Sequence, residues 1–78
     1  MNIEQAFGIA LQKERTKQNI SQEALAFDSG LDRTYISLLE RGKRKPTINT
    51  LFFITHALKI KPHELILEVE QIIDSQKK

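Results

Sequence analysis

Cysteine is absent from the 78-residue sequence. That excludes a disulfide framework and a thiolate zinc site, and it fits a reducing compartment. Apolar residues never reach the roughly 18 in succession that a membrane span needs. The opening segment MNIEQAFGIAL carries Glu4 and no basic stretch, so no secretory signal is expected and the cytoplasm is the expected location. Repeats, linkers and low-complexity runs are missing, as is the apolar/polar alternation of strands. No Ser/His/Asp set, phosphate-cradling glycine loop or HExxH pattern occurs, so an enzyme is not expected. His56 and His63 fall on different predicted helices without a carboxylate cluster; neither a metal nor any other cofactor is expected.

What remains is a short chain with 40% hydrophobic and 28% charged residues, the balance of an ordinary globular domain. A domain this small buries only about 60% of the surface its unfolded chain exposes. One core fits, and a roomy cleft for a small-molecule ligand does not. Self-association is the expected way of supplementing so small a core. The net charge of +2 is by itself a weak pointer to a polyanion.

Gly8, Gly30, Gly42, Pro46 and Pro62 punctuate a chain that otherwise reads as helix. Asn2 caps a first helix to about Gln18, with Phe7, Ala10 and Leu11 inward. Ser21 caps a second, Gln22 to about Ser29, with Leu25 and Ala26 inward, and Gly30 suits its left-handed stop. Asp32 caps a third, Arg33 to about Arg41, with Leu31, Ile36 and Leu39 inward. Thr47 caps a fourth, Ile48 to about Leu58, with Leu51, Ile54, Ala57 and Leu58 inside. Pro62 opens a fifth, to about residue 75, whose Leu65 joins the core. The expectation is one all-α domain of five helices over residues 1–78.

The stretch Ser21 to Pro46 sets two short helices about a tight turn at Gly30, the layout of a helix-turn-helix. On the third helix the face opposite the core presents Arg33, Thr34, Ser37 and Leu38, with Tyr35 at the margin. An arginine can bind guanine O6 and N7 in bidentate fashion. Hydroxyls reach bases or phosphates, and apolar atoms touch thymine methyls. From Arg41 to Lys61 there are six basic residues and no acid. From Pro62 to Gln76 there are four acids and no lysine or arginine. The total charge hides this separation, which places cations where phosphates would lie after the third helix.

Three segments carry a family resemblance: FGxxLxxxR (Phe7 to Arg15), ISQEALA (Ile20 to Ala26) and GLDRTYISLLERGKRKP (Gly30 to Pro46). TxxTLxxxxxAL (Thr47 to Leu58) extends the match. The sequence resembles the Cro/cI-type, phage-repressor-like helix-turn-helix family, whose fold is the five-helix lambda-repressor-like domain. The resemblance implies base reading by Arg33 and Thr34, with Ser37 and Leu38 on the same face. It implies a phosphate contact by Gln22 and assisting contacts by Asp32 and Tyr35. Backbone contacts are expected from Arg41, Lys43, Arg44, Lys45 and Asn49. Arg15 and Glu40 match a partly buried ion pair tying the first helix to the third. Two positions depart from the pattern: Leu38, where relatives place a polar reader, and Glu14, where a leucine is common. At Glu14 the first helix is expected to pack less tightly.

An apolar surplus remains. Phe52 and Phe53 point about 100° apart, so both cannot enter one core. Ile66, Leu67, Val69, Ile72 and Ile73 exceed what a monomer needs on the fifth helix. These residues are expected to form a homodimer interface. The expected function is a homodimeric regulator of transcription, binding a pseudo-palindromic double-stranded DNA operator. Control would come through concentration, dimerisation or another protein. LDRTYIS in so short a chain is similar to the controller proteins of restriction-modification systems; an activator would also touch RNA polymerase. The rival expectation is an antitoxin-like or protein-interaction module that keeps the fold and acts mainly through a protein partner.

Overall fold

The computed structural model describes residues 1–76. Five helices follow one another: α1 (Ile3–Lys17), α2 (Gln22–Ser29), α3 (Arg33–Glu40), α4 (Ile48–Leu58) and α5 (Pro62–Ser75). No strand occurs among the described residues.

Each helix starts where a side chain satisfies its free amides. Asn2 Oδ1 accepts from the Gln5 amide at 2.7 Å, and Gln5 Oε1 accepts from the Asn2 amide at 3.0 Å. Ser21 Oγ accepts from the Ala24 amide at 3.0 Å and Thr47 Oγ1 from the Thr50 amide at 3.0 Å. Asp32 Oδ2 accepts from the Thr34 amide at 2.9 Å. At α5 Pro62 occupies the first turn, and Glu64 Oε1 accepts from the Lys61 amide at 2.7 Å.

The stops differ from one another. Gly30 takes the left-handed φ of 73° that ends α2 and turns the chain into α3. The Leu31 amide closes this turn on the Ala26 carbonyl at 2.9 Å. At the end of α4 the same conformation falls on Lys59, φ 60°, a stop that no glycine marks. The third helix ends at Glu40, one residue before the expected end.

The core collects Phe7, Ala10 and Leu11 of α1, Leu25 and Ala26 of α2, and Ile36 and Leu39 of α3. Leu51, Ile54 and Leu58 of α4 and Leu65 of α5 complete it, with Ala6 and Val69 added. Val69 corrects the expected surface surplus: it is buried, on the stripe that continues from Leu65 four residues earlier. Ile72 and Ile73 are half-buried against the same core, so they too are only partly surplus. Leu31 and Ala57, expected inside, are half-buried. Glu14 is buried as well, so the expected looseness of α1 at this position does not occur. A Cβ on Gly8 would run into the Leu39 and Glu40 carbonyl oxygens. Glycine therefore lets α1 lie directly against the end of α3, which sets the height of the helix-turn-helix above the core.

Candidate nucleic-acid interface

The helix-turn-helix is clamped from behind. Arg15 on α1 donates from Nε to Glu40 Oε2 at 2.6 Å and from Nη2 to Oε1 at 3.0 Å. Its Nη1 donates to the Ile20 carbonyl at 2.7 Å. Gln22 Nε2, from the first turn of α2, donates to the same Glu40 Oε1 at 3.0 Å. The Glu40 carboxylate thus joins α1, α2 and α3, and the Arg15 guanidinium adds the α1–α2 turn. The Glu40 side chain is only 3% exposed. The pairing raises the Arg15 pKa above its ordinary value, so the guanidinium stays charged.

The clamp fixes what α3 presents. Arg33 and Thr34 are fully on the outside, while Ser37 and Leu38 lie half-buried on the same helix. Arg33 shares a shallow depression with Ser21, Gln22 and Glu23 at the start of α2. Asp32 is exposed, with one carboxylate oxygen committed to capping α3. Arg41 is exposed beside the end of α3 and reaches back to the Ser37 carbonyl at 3.4 Å.

Tyr35 bridges two parts of this face. Its hydroxyl lies 3.1 Å from Thr50 Oγ1 on α4, and the Arg44 guanidinium lies 5.4 Å from its ring centre. The seven residues between α3 and α4 therefore do not hang free: Arg44 rests on the ring by a cation–π contact. Lys43, Arg44 and Lys45 are exposed on that loop, and Asn49 is exposed in the first turn of α4. Tyr35 so ties α3 to the basic loop and to the first turn of α4.

The expected apolar surplus divides into two areas. Ile66 shares an apolar groove with Ile3, Phe7, Ile48, Leu51 and Val69, between α1, α4 and α5. Phe52 lines a separate depression with His56, Lys59, Ile60 and Pro62. Phe52, Phe53, Ile66 and Leu67 are each about half exposed, at 55%, 50%, 47% and 50%. Ile3 at 66%, Ile48 at 70% and Phe27 at 85% are exposed apolar residues that sequence reasoning missed. Ile3 and Ile48 each open a helix one residue after its cap, a position where a helical-stripe reading sees only continuity with the core. The double use of Gln22 was equally hidden, because its acceptor lies 18 residues away.

The helix-turn-helix family model matches residues 11–65. The chain belongs to the helix-turn-helix family. Within it the chain is a DNA-binding transcriptional regulator of Cro/cI type. It is 42% identical over 66 residues to the control protein C.BamHI of Bacillus amyloliquefaciens, covering 83% of this chain and 82% of that one. Among solved structures, it is similar to the restriction-modification controller protein C.AhdI from Aeromonas hydrophila. There the TM-score is 0.78 at 44% identity, over 80% of this chain and 94% of the other. The clp gene regulator ClgR from Corynebacterium glutamicum superposes with a TM-score of 0.93 at 26% identity, over 97% and 81% of the two chains. The fold is thus common to regulators of different genes, whereas the higher identities fall on controllers. This helix-turn-helix chain has, among its described residues, no helix long and apolar enough to cross a membrane.

Proposed function

We propose that the chain is a restriction-modification controller: a homodimer that binds a pseudo-palindromic operator and regulates transcription from it in the cytoplasm. The observation that carries the reading is the outward pair Arg33 and Thr34 at the start of an α3 held rigid by Glu40, with three cations on the following loop. Arg33 sits at a helix N-terminus, where the dipole slightly disfavours a cation, so its place is better explained by an anionic or acceptor-bearing partner. In this reading Arg33 and Thr34 read base edges in the major groove, with Ser37 and Leu38 at the side. Lys43, Arg44, Lys45, Arg41 and Asn49 hold phosphates, and Asp32 and Tyr35 support them. Gln22 keeps one amide hydrogen on Glu40 and offers the rest of its amide to a phosphate. The identities to control proteins favour the controller class over other regulators. The mechanism needs no catalytic group and no cofactor.

A two-fold dimer places two α3 helices about 34 Å apart, one turn of the duplex, on successive major-groove faces. The half-exposed Phe52, Phe53, Ile66 and Leu67, with the margins of Ile72 and Ile73, are the surface the second copy covers. Val69 supports that surface from inside. An activator would also present a surface to RNA polymerase.

Titration against duplex DNA at increasing salt tests the reading. Affinity should fall by roughly 0.9 log units per neutralised phosphate for each tenfold rise in salt. Absence of binding at low salt would favour a protein-interaction module acting through the apolar faces.

A further inference from the structure

Three hydroxyls form a chain from the start of α4 to α3. Thr47 Oγ1 accepts from the Thr50 amide at 3.0 Å and donates to Thr50 Oγ1 at 3.1 Å. Thr50 Oγ1 in turn lies 3.1 Å from the Tyr35 hydroxyl, where either oxygen can donate. Thr50 is 6% exposed, whereas Tyr35 is half-buried and Thr47 is exposed. A hydroxyl has one proton to give and two lone pairs to receive with. The Thr47 proton is spent on Thr50, which gives the chain a direction. One acceptor then remains for the Thr50 proton among the described residues, the Tyr35 oxygen. In the opposite sense Tyr35 would donate to Thr50 and leave the Thr50 proton buried and unpaired, a costly arrangement. In the favoured sense the phenol oxygen accepts, and the phenol proton stays free to turn toward solvent.

We propose that Thr50 is a positioning residue for DNA binding: by donating to Tyr35 it fixes the phenol oxygen and leaves the phenol proton for a phosphate oxygen. This rests on the DNA-binding reading above. Thr50 itself is buried and touches no nucleic acid; it acts through Tyr35. Each donating hydroxyl polarises the next, so the phenol at the end of the chain is a stronger donor than a free one. The same ring carries the Arg44 guanidinium, 5.4 Å from its centre. A guanidinium resting on a ring face keeps its edge N–H groups for hydrogen bonds. Tyr35 and Arg44 thus present a neutral and a charged donor side by side. Fixing the ring through Thr50 orients both. A phosphate contact carries no base information, so loss of the Thr50 hydroxyl acts on every duplex alike.

Two measurements test the assignment, and the first needs no DNA. In an equal mixture of light and heavy water, a carbon whose hydroxyl exchanges slowly gives two NMR resonances. The Thr50 Cβ resonance of the wild type should be split. The Cζ resonance of Tyr35, the only tyrosine in the chain, should be single. A split Tyr35 resonance or a single Thr50 resonance would overturn the direction of the chain. The second measurement is titration with random-sequence duplex DNA at low salt, at a temperature where thermal unfolding shows every variant folded. Thr50→Val keeps the branched shape, removes the hydroxyl and should lower affinity about threefold. Thr50→Ser should restore it. Tyr35→Phe, which keeps the ring under Arg44, should lower affinity about tenfold. Adding Thr50→Val to Tyr35→Phe should cost nothing more. An affinity unchanged or raised by Thr50→Val, or losses that multiply in the double variant, would overturn the positioning role. A wild-type chain that binds no duplex contradicts the DNA-binding reading and takes the phosphate role with it, while the split resonance still decides the hydroxyl chain.

Discussion

Glu40 and Arg15 meet in a two-pronged ion pair, 2.6 and 3.0 Å long, although 25 residues separate them. The Glu40 side chain is 3% exposed and that of Arg15 11%. A pair so far out of water returns little net stability, but removing one partner strands the other. Arg15→Ala should therefore destabilise the fold by about 3 kcal/mol, read from urea unfolding. It should also free Gln22 from its fixed orientation, since both lean on Glu40. An unfolding midpoint equal to that of the wild type would show that the clamp carries no structural load.

Gly8 tests the contact between α1 and α3 from the other side. Gly8→Ala places a methyl against the Leu39 and Glu40 carbonyls. Although alanine is the better helix former, the substitution should cost about 1–3 kcal/mol, because backbone must move. A stabilised Gly8→Ala would mean that the helices have room to separate.

The basic loop and α3 should behave differently when their charges are removed. Lys43→Ala should weaken binding to every duplex alike and lower the salt slope by about one. Binding titrations at three salt concentrations on specific and random DNA check this. A change confined to the specific sequence would move Lys43 from phosphate contact to base reading.

On α5 two neighbouring apolar residues should give opposite phenotypes. Leu67 is half exposed and Val69 is buried. Leu67→Lys should leave the unfolding midpoint of the monomer nearly unchanged and raise the dimer dissociation constant at least about tenfold, as for a charge placed in an apolar contact. Val69→Ala should instead cost about 2 kcal/mol of stability. Sedimentation and thermal unfolding on both variants separate the two roles. Unaltered self-association in Leu67→Lys would contradict the assigned surface.

The fold was legible in the sequence because its signals are local. Asn2, Ser21, Asp32 and Thr47 cap helices within three residues of themselves, and the inner stripes repeat at helical spacing. The Arg15–Glu40 pair was legible only through the family pattern. Val69 was misplaced because six apolar residues crowd one helix, and spacing alone does not say how deep the α1–α4 surface lets α5 sink. The stop at Lys59 carries no glycine, so its left-handed turn was equally silent. On the interface, residue types and helix phase exposed Arg33 and Thr34, while the tie of Tyr35 to Thr50 and Arg44 needed the packing of α3 on α4.

In the proposed function α3 reads sequence through Arg33. Selection of bound duplexes from a random pool, run in parallel with wild type and Arg33→Ala, measures this most directly. The wild type should enrich two similar half-sites about one helical turn apart. Arg33→Ala should lose the preference at one position of each half-site, by about 1–3 kcal/mol, and keep the others. An Arg33→Ala pool with the same base preferences at lower affinity would show that Arg33 does not read bases.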